Sequence, residues 1–160
     1  MRSAFAEGLR LLARRELSEA QIRERLARKA FEPPLIEDAI DRLRRSGAID
    51  DARVALAAAR TEALVKRHGR LRVERQLAAI GIAAAVAARA VEEVFAAVEE
   101  PALIDRALAR RLRGPNARIA DAAHFRRLHQ YLVRQGFPPE AVTALLRRRW
   151  RGSAAPDSEP

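Results

Sequence analysis

Arginines in the last third of the chain are the side chains best suited to bind a partner. Two runs stand out, RRLR at 110–113 and RRRWR at 147–151, with single arginines between them. A guanidinium group is planar and always charged, so it forms paired hydrogen bonds to a phosphate or a carboxylate. These side chains predict contacts to a polyanion, through Arg110, Arg111, Arg113, Arg118, Arg126, Arg127, Arg134, Arg147, Arg148, Arg149 and Arg151. The alternative is a solvated, arginine-rich helix surface without a partner.

A second basic cluster is KRHGRLR at 66–72, between two predicted helices. Arg67, Arg70 and Arg72 could together bind phosphate there. Cations are also favoured near the negative end of a helix dipole, which would make the cluster an ordinary helix end. The sequence leaves both interpretations open.

No residue set predicts catalysis or a cofactor. The three histidines, His68, His124 and His129, lack the spacing of a metal site, and there is no cysteine for a disulfide or a thiolate ligand. A glycine-rich phosphate loop, a nucleophile elbow and a convincing carboxylate pair are all missing from the sequence. We therefore expect a protein that is not an enzyme and that needs no metal. Trp150 could stack on a base, but we expect it to pack beneath the last helix.

The charge balance supports a polyanionic partner. The chain has 31 basic and 21 acidic residues, a net charge of +10, of which +7 lies in residues 101–160. Such a field attracts nucleic acid or an acidic protein surface. Charged residues make up 32% of the sequence, and no apolar run approaches the roughly 18–20 residues that span a bilayer. We expect a cytoplasmic monomer without a membrane segment.

Hydrophobic periodicity predicts nine helices and no strand. The first helix is expected over 3–16, with Phe5, Leu9 and Leu12 on its buried face. Ser18 and Gln21 form a capping-box pattern for the second helix. Two prolines at 33–34 suit the first turn of the third.

Further signals mark the ends of later helices. Gly47 is placed to end the third helix in a left-handed conformation. Asp50 and Asp51 are expected to cap the fourth helix, which should run to about residue 67. A turn is predicted at 114–116.

One spacing pattern of apolar residues occurs three times in the sequence. Apolar positions separated by five, five and four residues recur at offsets of 51 and 55, as Leu26-Phe31-Ile36-Ile40, Leu77-Ile82-Ala87-Val91 and Leu132-Phe137-Val142-Leu146. Two helices of each module are expected to meet at a tight corner just before the second of these positions. The corner residue is Ala30 in the first repeat, Gly81 in the second and Gly136 in the third. We expect the residue after each corner to fill the gap between two helices. If the corner requires a positive φ, Ala30 should be strained.

The repeat predicts an all-α fold of three tandem three-helix modules, resembling helix-turn-helix repeats, in an elongated, curved array. The expected boundaries are 1–50, 51–99 and a basic module at 100–151, followed by a disordered tail at 152–160.

Four phrases of the chain resemble the RecX regulatory proteins of bacteria, namely LARRELSEAQIRERLARKAF at 12–31, LRRSGAIDDAR at 43–53, VERQLAAIGI at 73–82 and YLVRQGFPPEAVTALL at 131–146. The resemblance covers roughly residues 5–150. It implies a non-enzymatic protein that binds the RecA recombinase and its filament on single-stranded DNA. It also implies inhibition of recombinase, ATPase and coprotease activities, a role in DNA repair, homologous recombination and the SOS response, and DNA binding in its own right.

Two other functions remain open from the residues alone. Sequence-specific DNA binding by a helix-turn-helix is disfavoured in the first module. Acidic residues stand at the start of its candidate recognition helix, at Glu37, Asp38 and Asp41, and DNA phosphates would repel them. Sequence-independent DNA binding fits the basic last third better. A helical-repeat scaffold for another partner is the second alternative.

Overall fold

The computed structural model describes residues 3–113 and 118–153, with side chains up to residue 150. Within these ranges the chain is all-α, which confirms the predicted fold class, and it contains nine α-helices, a short π-helical segment and no strand. The α-helices are α1 Ala4–Leu12, α2 Glu19–Arg28, α3 Pro33–Arg45, α4 Asp51–Arg60, α5 Arg70–Ala79, α6 Ala84–Ala96, α7 Glu100–Leu112, α8 Ala122–Arg134 and α9 Pro139–Ser153, and the π-helix is Thr61–Val65.

Internal contacts divide the chain into two compact units. Unit 1 comprises Met1–Ala59 and Glu74–Glu93, and unit 2 comprises Arg60–Val73 and Val94–Pro160. In unit 1, α1 packs on α2 and α3, and in unit 2, α7 packs on α8 and α9. Helices of the predicted second module contribute to both units, so the boundaries at 50/51 and 99/100 stay predictions.

The predicted signals for α2 and α3 are confirmed. Ser18 accepts a hydrogen bond from the Gln21 N–H at 3.2 Å, and the Gln21 side chain accepts one from the Ser18 N–H at 3.3 Å. Pro33 begins α3, where its missing N–H leaves no helical bond unmade. Apolar side chains of both helices then fill the core of unit 1, and fully or nearly fully buried are Ile22, Leu26, Ile36, Ile40 and Leu43.

The first helix differs from the prediction in length and in buried face. It ends at Leu12 rather than near residue 16, and Leu9 is 41% exposed. The buried residues are Ala4, Glu7 and Gly8. A Cβ atom at Gly8 would lie 2.6 Å from a methyl group of Leu43, so only a small residue allows α1 to approach α3 this closely. Of the predicted apolar stripe, Phe5 and Leu12 pack partly buried against this core, and only Leu9 faces solvent.

One of the two predicted caps of α4 acts elsewhere. Asp50 accepts a hydrogen bond from the Arg53 N–H at 3.0 Å, as expected of a cap. Asp51 instead accepts the Glu19 N–H at 2.9 Å, in the first turn of α2. Burial raises the pKa of Asp51, although this backbone hydrogen bond opposes the shift. Asp51 thus joins α4 to α2.

The three predicted corners share one backbone conformation. The φ angles of Ala30, Gly81 and Gly136 are 58°, 79° and 94°, which confirms the strained alanine at the first corner. Phe137 is fully buried after the third corner and Ile82 is 5% exposed after the second. Phe31 is only half-buried, so the first corner is filled less completely.

The two glycine corners contact the start of an earlier helix in the same way. In unit 1, the Ser18 hydroxyl donates to the Ile80 carbonyl, and a Cβ atom at Gly81 would lie within 3.0 Å of Ala20. In unit 2, the Gly69 N–H donates to the Gln135 carbonyl at 2.8 Å, and a Cβ atom at Gly136 would lie within 3.0 Å of Arg72. We call each contact a corner joint. It requires glycine for space as well as for φ.

The last helix runs past the start of the predicted disordered tail. Helix α9 continues to Ser153, two residues beyond the predicted boundary at 151/152. Residues 154–160 and the predicted turn at 114–116 lie outside the described residues.

Candidate polyanion-binding surface

The predicted contact arginines all belong to unit 2. By sequence, unit 2 carries 17 basic and 8 acidic residues, whereas unit 1 carries 14 and 13. Most described ion pairs are also in unit 1, such as Arg23 with Glu37 at 2.8 Å and Arg44 with Glu19 at 2.6 Å. The positive field therefore originates in unit 2.

Burial of the α7–α9 core directs most of these arginines to solvent. The inward-facing positions of each helix are apolar, and the buried set includes Leu103, Ile104, Leu108, Leu128, Leu132, Val142, Leu145 and Leu146. The remaining helix surfaces and ends carry the cations. Exposed are Arg110, Arg111, Arg113, Arg118, Arg126, Arg127, Arg134, Arg147 and Arg148, whereas the side chain of Arg151 is outside the description.

Helix packing brings some arginines together in clefts. Arg111 of α7 and Arg127 of α8 line a depression of about 250 Å³ with His124 and Leu128. Arg126 of α8 and Arg147 of α9 line a separate cleft of about 320 Å³. Each pair comes from two helices, so the sequence could not have indicated which arginines are neighbours.

Arg149 already has a carboxylate partner. Its guanidinium group lies 3.1 Å from Asp105 of α7, and its side chain is only 27% exposed. Arg148 approaches the same carboxylate at 3.9 Å but is 70% exposed. Arg149 therefore fastens α9 to α7, a structural role that sets it apart from its neighbours in the run.

The cluster at 66–72 is engaged with its own unit. Arg67 is half-buried with a left-handed φ of 61°. The Arg70 guanidinium lies 5.2 Å from the centre of the Phe95 ring, and Arg72 donates to the Gln135 amide oxygen at 3.0 Å. These contacts favour the structural interpretation of Arg70 and Arg72.

A buried carboxylate was not identified from the sequence. Glu62, in the π-helix, is 8% exposed and lies 2.5 Å from Lys66 Nζ and 2.7 Å from His68 Nδ1. Burial alone would raise the pKa of Glu62, but the hydrogen bonds from Lys66 and His68 outweigh it and lower the pKa. The four-residue spacing of Glu62 and Lys66 is a sequence signal for an ion pair on one helix face. The approach of His68 could not be predicted, because it depends on the path of the chain after the π-helix.

The remaining candidate groups have structural contacts. The Trp150 ring lies 5.3 Å from the Phe125 ring, in agreement with packing of the tryptophan against the bundle. His129 Nε2 is 3.0 Å from the Thr143 hydroxyl, and His124 Nδ1 accepts the Ala120 N–H at 3.2 Å. Within the described ranges no three metal-ligating side chains cluster. None of the described helices is long and apolar enough to cross a membrane.

Comparison with known proteins identifies the family. The family described as "RecX, first three-helix domain" matches residues 4–43. The regulatory protein RecX of Syntrophotalea carbinolica is 33% identical over 134 residues, which cover 84% of this chain and 88% of that protein. The chain belongs to the RecX family. The regulatory protein RecX of Geobacillus thermodenitrificans is 27% identical over 146 residues, and the chain spans about half (54%) of its length.

Two crystal structures share the fold. RecX from Lactobacillus salivarius superposes with a TM-score of 0.71 at 16% identity, over 91% of this chain and 93% of that chain. A second regulatory protein RecX gives a TM-score of 0.73 at 22% identity, over 91% and 70%. These relatives support the helical-repeat fold, and the RecX relatives as named support a regulatory role.

Proposed function

We propose that this RecX family protein binds RecA and its filament on single-stranded DNA, and inhibits recombinase, ATPase and coprotease activities. It would thereby modulate homologous recombination, DNA repair and the SOS response. Family membership supports the partner, and the exposed arginines of unit 2 are the observation that carries the mode of binding. The protein would act in the cytoplasm without a cofactor and without chemistry of its own.

The charge distribution supplies a physical mechanism for such regulation. A ligand that binds one state of a filament more tightly than another shifts the population toward that state. Exposed guanidinium groups can pair with carboxylates of a protein subunit or with DNA phosphates. Arg111 and Arg127 fit this role, because both are exposed and they face one depression from two helices.

The test is ATP hydrolysis by the cognate RecA on single-stranded DNA, titrated with this protein at fixed, moderate salt. Excess DNA excludes simple competition for the strand. We expect hydrolysis to fall at less than one protein per RecA. Replacing Arg111 and Arg127 with Gln should raise the half-inhibiting concentration roughly 2- to 30-fold, since each exposed pair contributes about 0.2–1 kcal/mol.

A matched control removes the same charge from unit 1. Arg14 and Arg15 are exposed there, and the variant with both changed to Gln should inhibit like the wild type. Equal effects of the two double variants would contradict a role for the basic surface of unit 2.

Sequence-independent DNA binding is the second candidate, favoured by the excess of basic residues in unit 2. Under this alternative RecA hydrolysis would not respond once excess DNA is present, while the protein would still bind DNA with a strong salt dependence.

A further inference from the structure

We propose that the cleft between α8 and α9 binds a nucleotide of single-stranded nucleic acid, with the base against Phe125. Phe125, Arg126, His129, Gln130, Thr143 and Arg147 line it. The inference rests on the proposed function in that it also assigns polyanion binding to exposed arginines of unit 2. It adds a defined site and a preference for unpaired bases.

An aromatic ring that packs on a second ring lines the cleft. Phe125 is half-buried, and its ring centre lies 5.3 Å from that of Trp150. One helical turn further along α8, His129 is held by its 3.0 Å contact with Thr143 of α9. A preorganised aromatic surface can stack on any base, because every base presents a π face.

The edges of the cleft are charged and polar. Arg126 and Gln130 project from α8 and Arg147 from α9, and all three are exposed. Neither arginine forms an ion pair with a carboxylate in the described ranges. A strand crossing the cleft would place phosphates near guanidinium groups on both sides, and the Gln130 amide can donate and accept at a base edge.

The neighbouring clefts lack this combination. The groove between α7 and α9 has an apolar lining with Arg148 and contains no aromatic ring, since its other residues are Pro101, Ile104, Ala141, Ala144 and Leu145. The lining of the depression between α7 and α8 has two arginines but no Phe, Tyr or Trp, and the Tyr131 ring close by already has the Arg111 guanidinium 5.5 Å from its centre. Paired cations around a phenyl ring favour an anion with a flat aromatic group, which is the chemistry of a nucleotide.

The test compares oligonucleotides that differ only in their bases. Full-length protein is titrated with a single-stranded oligothymidylate, with an abasic strand of equal length and with a duplex, at one salt concentration. We expect the base-bearing single strand to bind roughly 5- to 150-fold more tightly than the abasic strand, as one stacked base allows. Emission from Trp150, the one tryptophan of the chain, should change with the base-bearing strand and not with the abasic strand.

Phe125→Leu is the decisive variant, because leucine keeps an apolar side chain on the bundle and removes the ring. It should abolish the preference for the base-bearing strand while leaving abasic binding unchanged. Arg126→Gln combined with Arg147→Gln should weaken both strands. Equal wild-type binding of the two strands, or a preference that survives Phe125→Leu, would overturn the proposal.

RecA hydrolysis measured on the same samples separates the two proposals. Inhibition of RecA by a wild-type protein with no base preference would refute the cleft and support the regulatory function. A base preference that Phe125→Leu removes, together with no effect on RecA, would support the cleft and refute the regulatory function.

Discussion

The corner joint of unit 2 makes Gly136 a sensitive test of how the repeats pack. An alanine there would adopt a φ of 94°, in the left-handed region, at a cost of about 1–2 kcal/mol. Its Cβ atom would also lie within 3.0 Å of backbone at Arg72, so the joint must open. Two backbone hydrogen bonds cross it, Gly69 N–H to Gln135 O at 2.8 Å and Leu71 N–H to Gly136 O at 3.2 Å.

The structure gives an expected magnitude for Gly136→Ala. Loss of two hydrogen bonds at about 0.5–1.5 kcal/mol each adds to the conformational cost, giving roughly 2–5 kcal/mol of lost unfolding free energy. Gly47→Ala is the control. Gly47 has a φ of 70° but nothing within 4 Å of its Cβ position, so only about 1–2 kcal/mol should be lost.

The assay is urea denaturation followed by far-UV circular dichroism, with linear extrapolation to water. A third variant, Ala30→Gly, should stabilise the protein by about 1 kcal/mol, because it relieves the left-handed strain at an exposed corner. If Gly136→Ala costs no more unfolding free energy than Gly47→Ala, the close approach at the joint plays no part in stability.

Three further predictions concern the core, the ion pairs and pH. Phe137→Ala should destabilise by roughly 3–5 kcal/mol, because the ring is fully buried; a loss below about 1 kcal/mol in the same assay would contradict its role after the corner. Reversing the charge of Arg147, Arg148 and Arg149 together should lower the melting temperature more than reversing only Arg147 and Arg148, because Arg149 pairs with Asp105 at 3.1 Å. Equal melting temperatures of the two variants would argue against a stabilising role of that ion pair. Because folding lowers the pKa of Glu62, its ionised side chain contributes its full stabilisation above the unfolded pKa of about 4.3, and this stabilisation is lost as the pH falls through the lower pKa of the folded protein. Glu62→Gln should therefore reduce the loss of unfolding free energy at acid pH. An unchanged pH dependence would show that Glu62 does not cause this loss.

Local signals in the sequence accounted for most helices. The capping box at Ser18, the prolines before Ile36 and the corner glycines act within a few residues, so periodicity and cap chemistry were sufficient to locate them. The strained Ala30 was accessible for the same reason, since the repeat aligned it with two glycines.

Features that depend on distant residues were missed. The buried face of α1 follows from the approach of Leu43 to Gly8, and the second cap at Asp51 is directed to α2 by packing. Charge patterning located the arginines but not their partners. Only the assembled bundle shows that Arg149 is paired with Asp105 while Arg126 and Arg147 share a cleft.

The corner joint makes the two ends of the repeat unequal as places to add a further module. Each of the two corner glycines contacts the start of a helix that precedes it in the chain, so the later module of each pair is the one that needs glycine. A designer appending a module after α9 would need glycine only in the new corner. The helix start of a module added before α1 would clash with the Ala30 methyl group. Extension at that end would therefore first require Ala30→Gly.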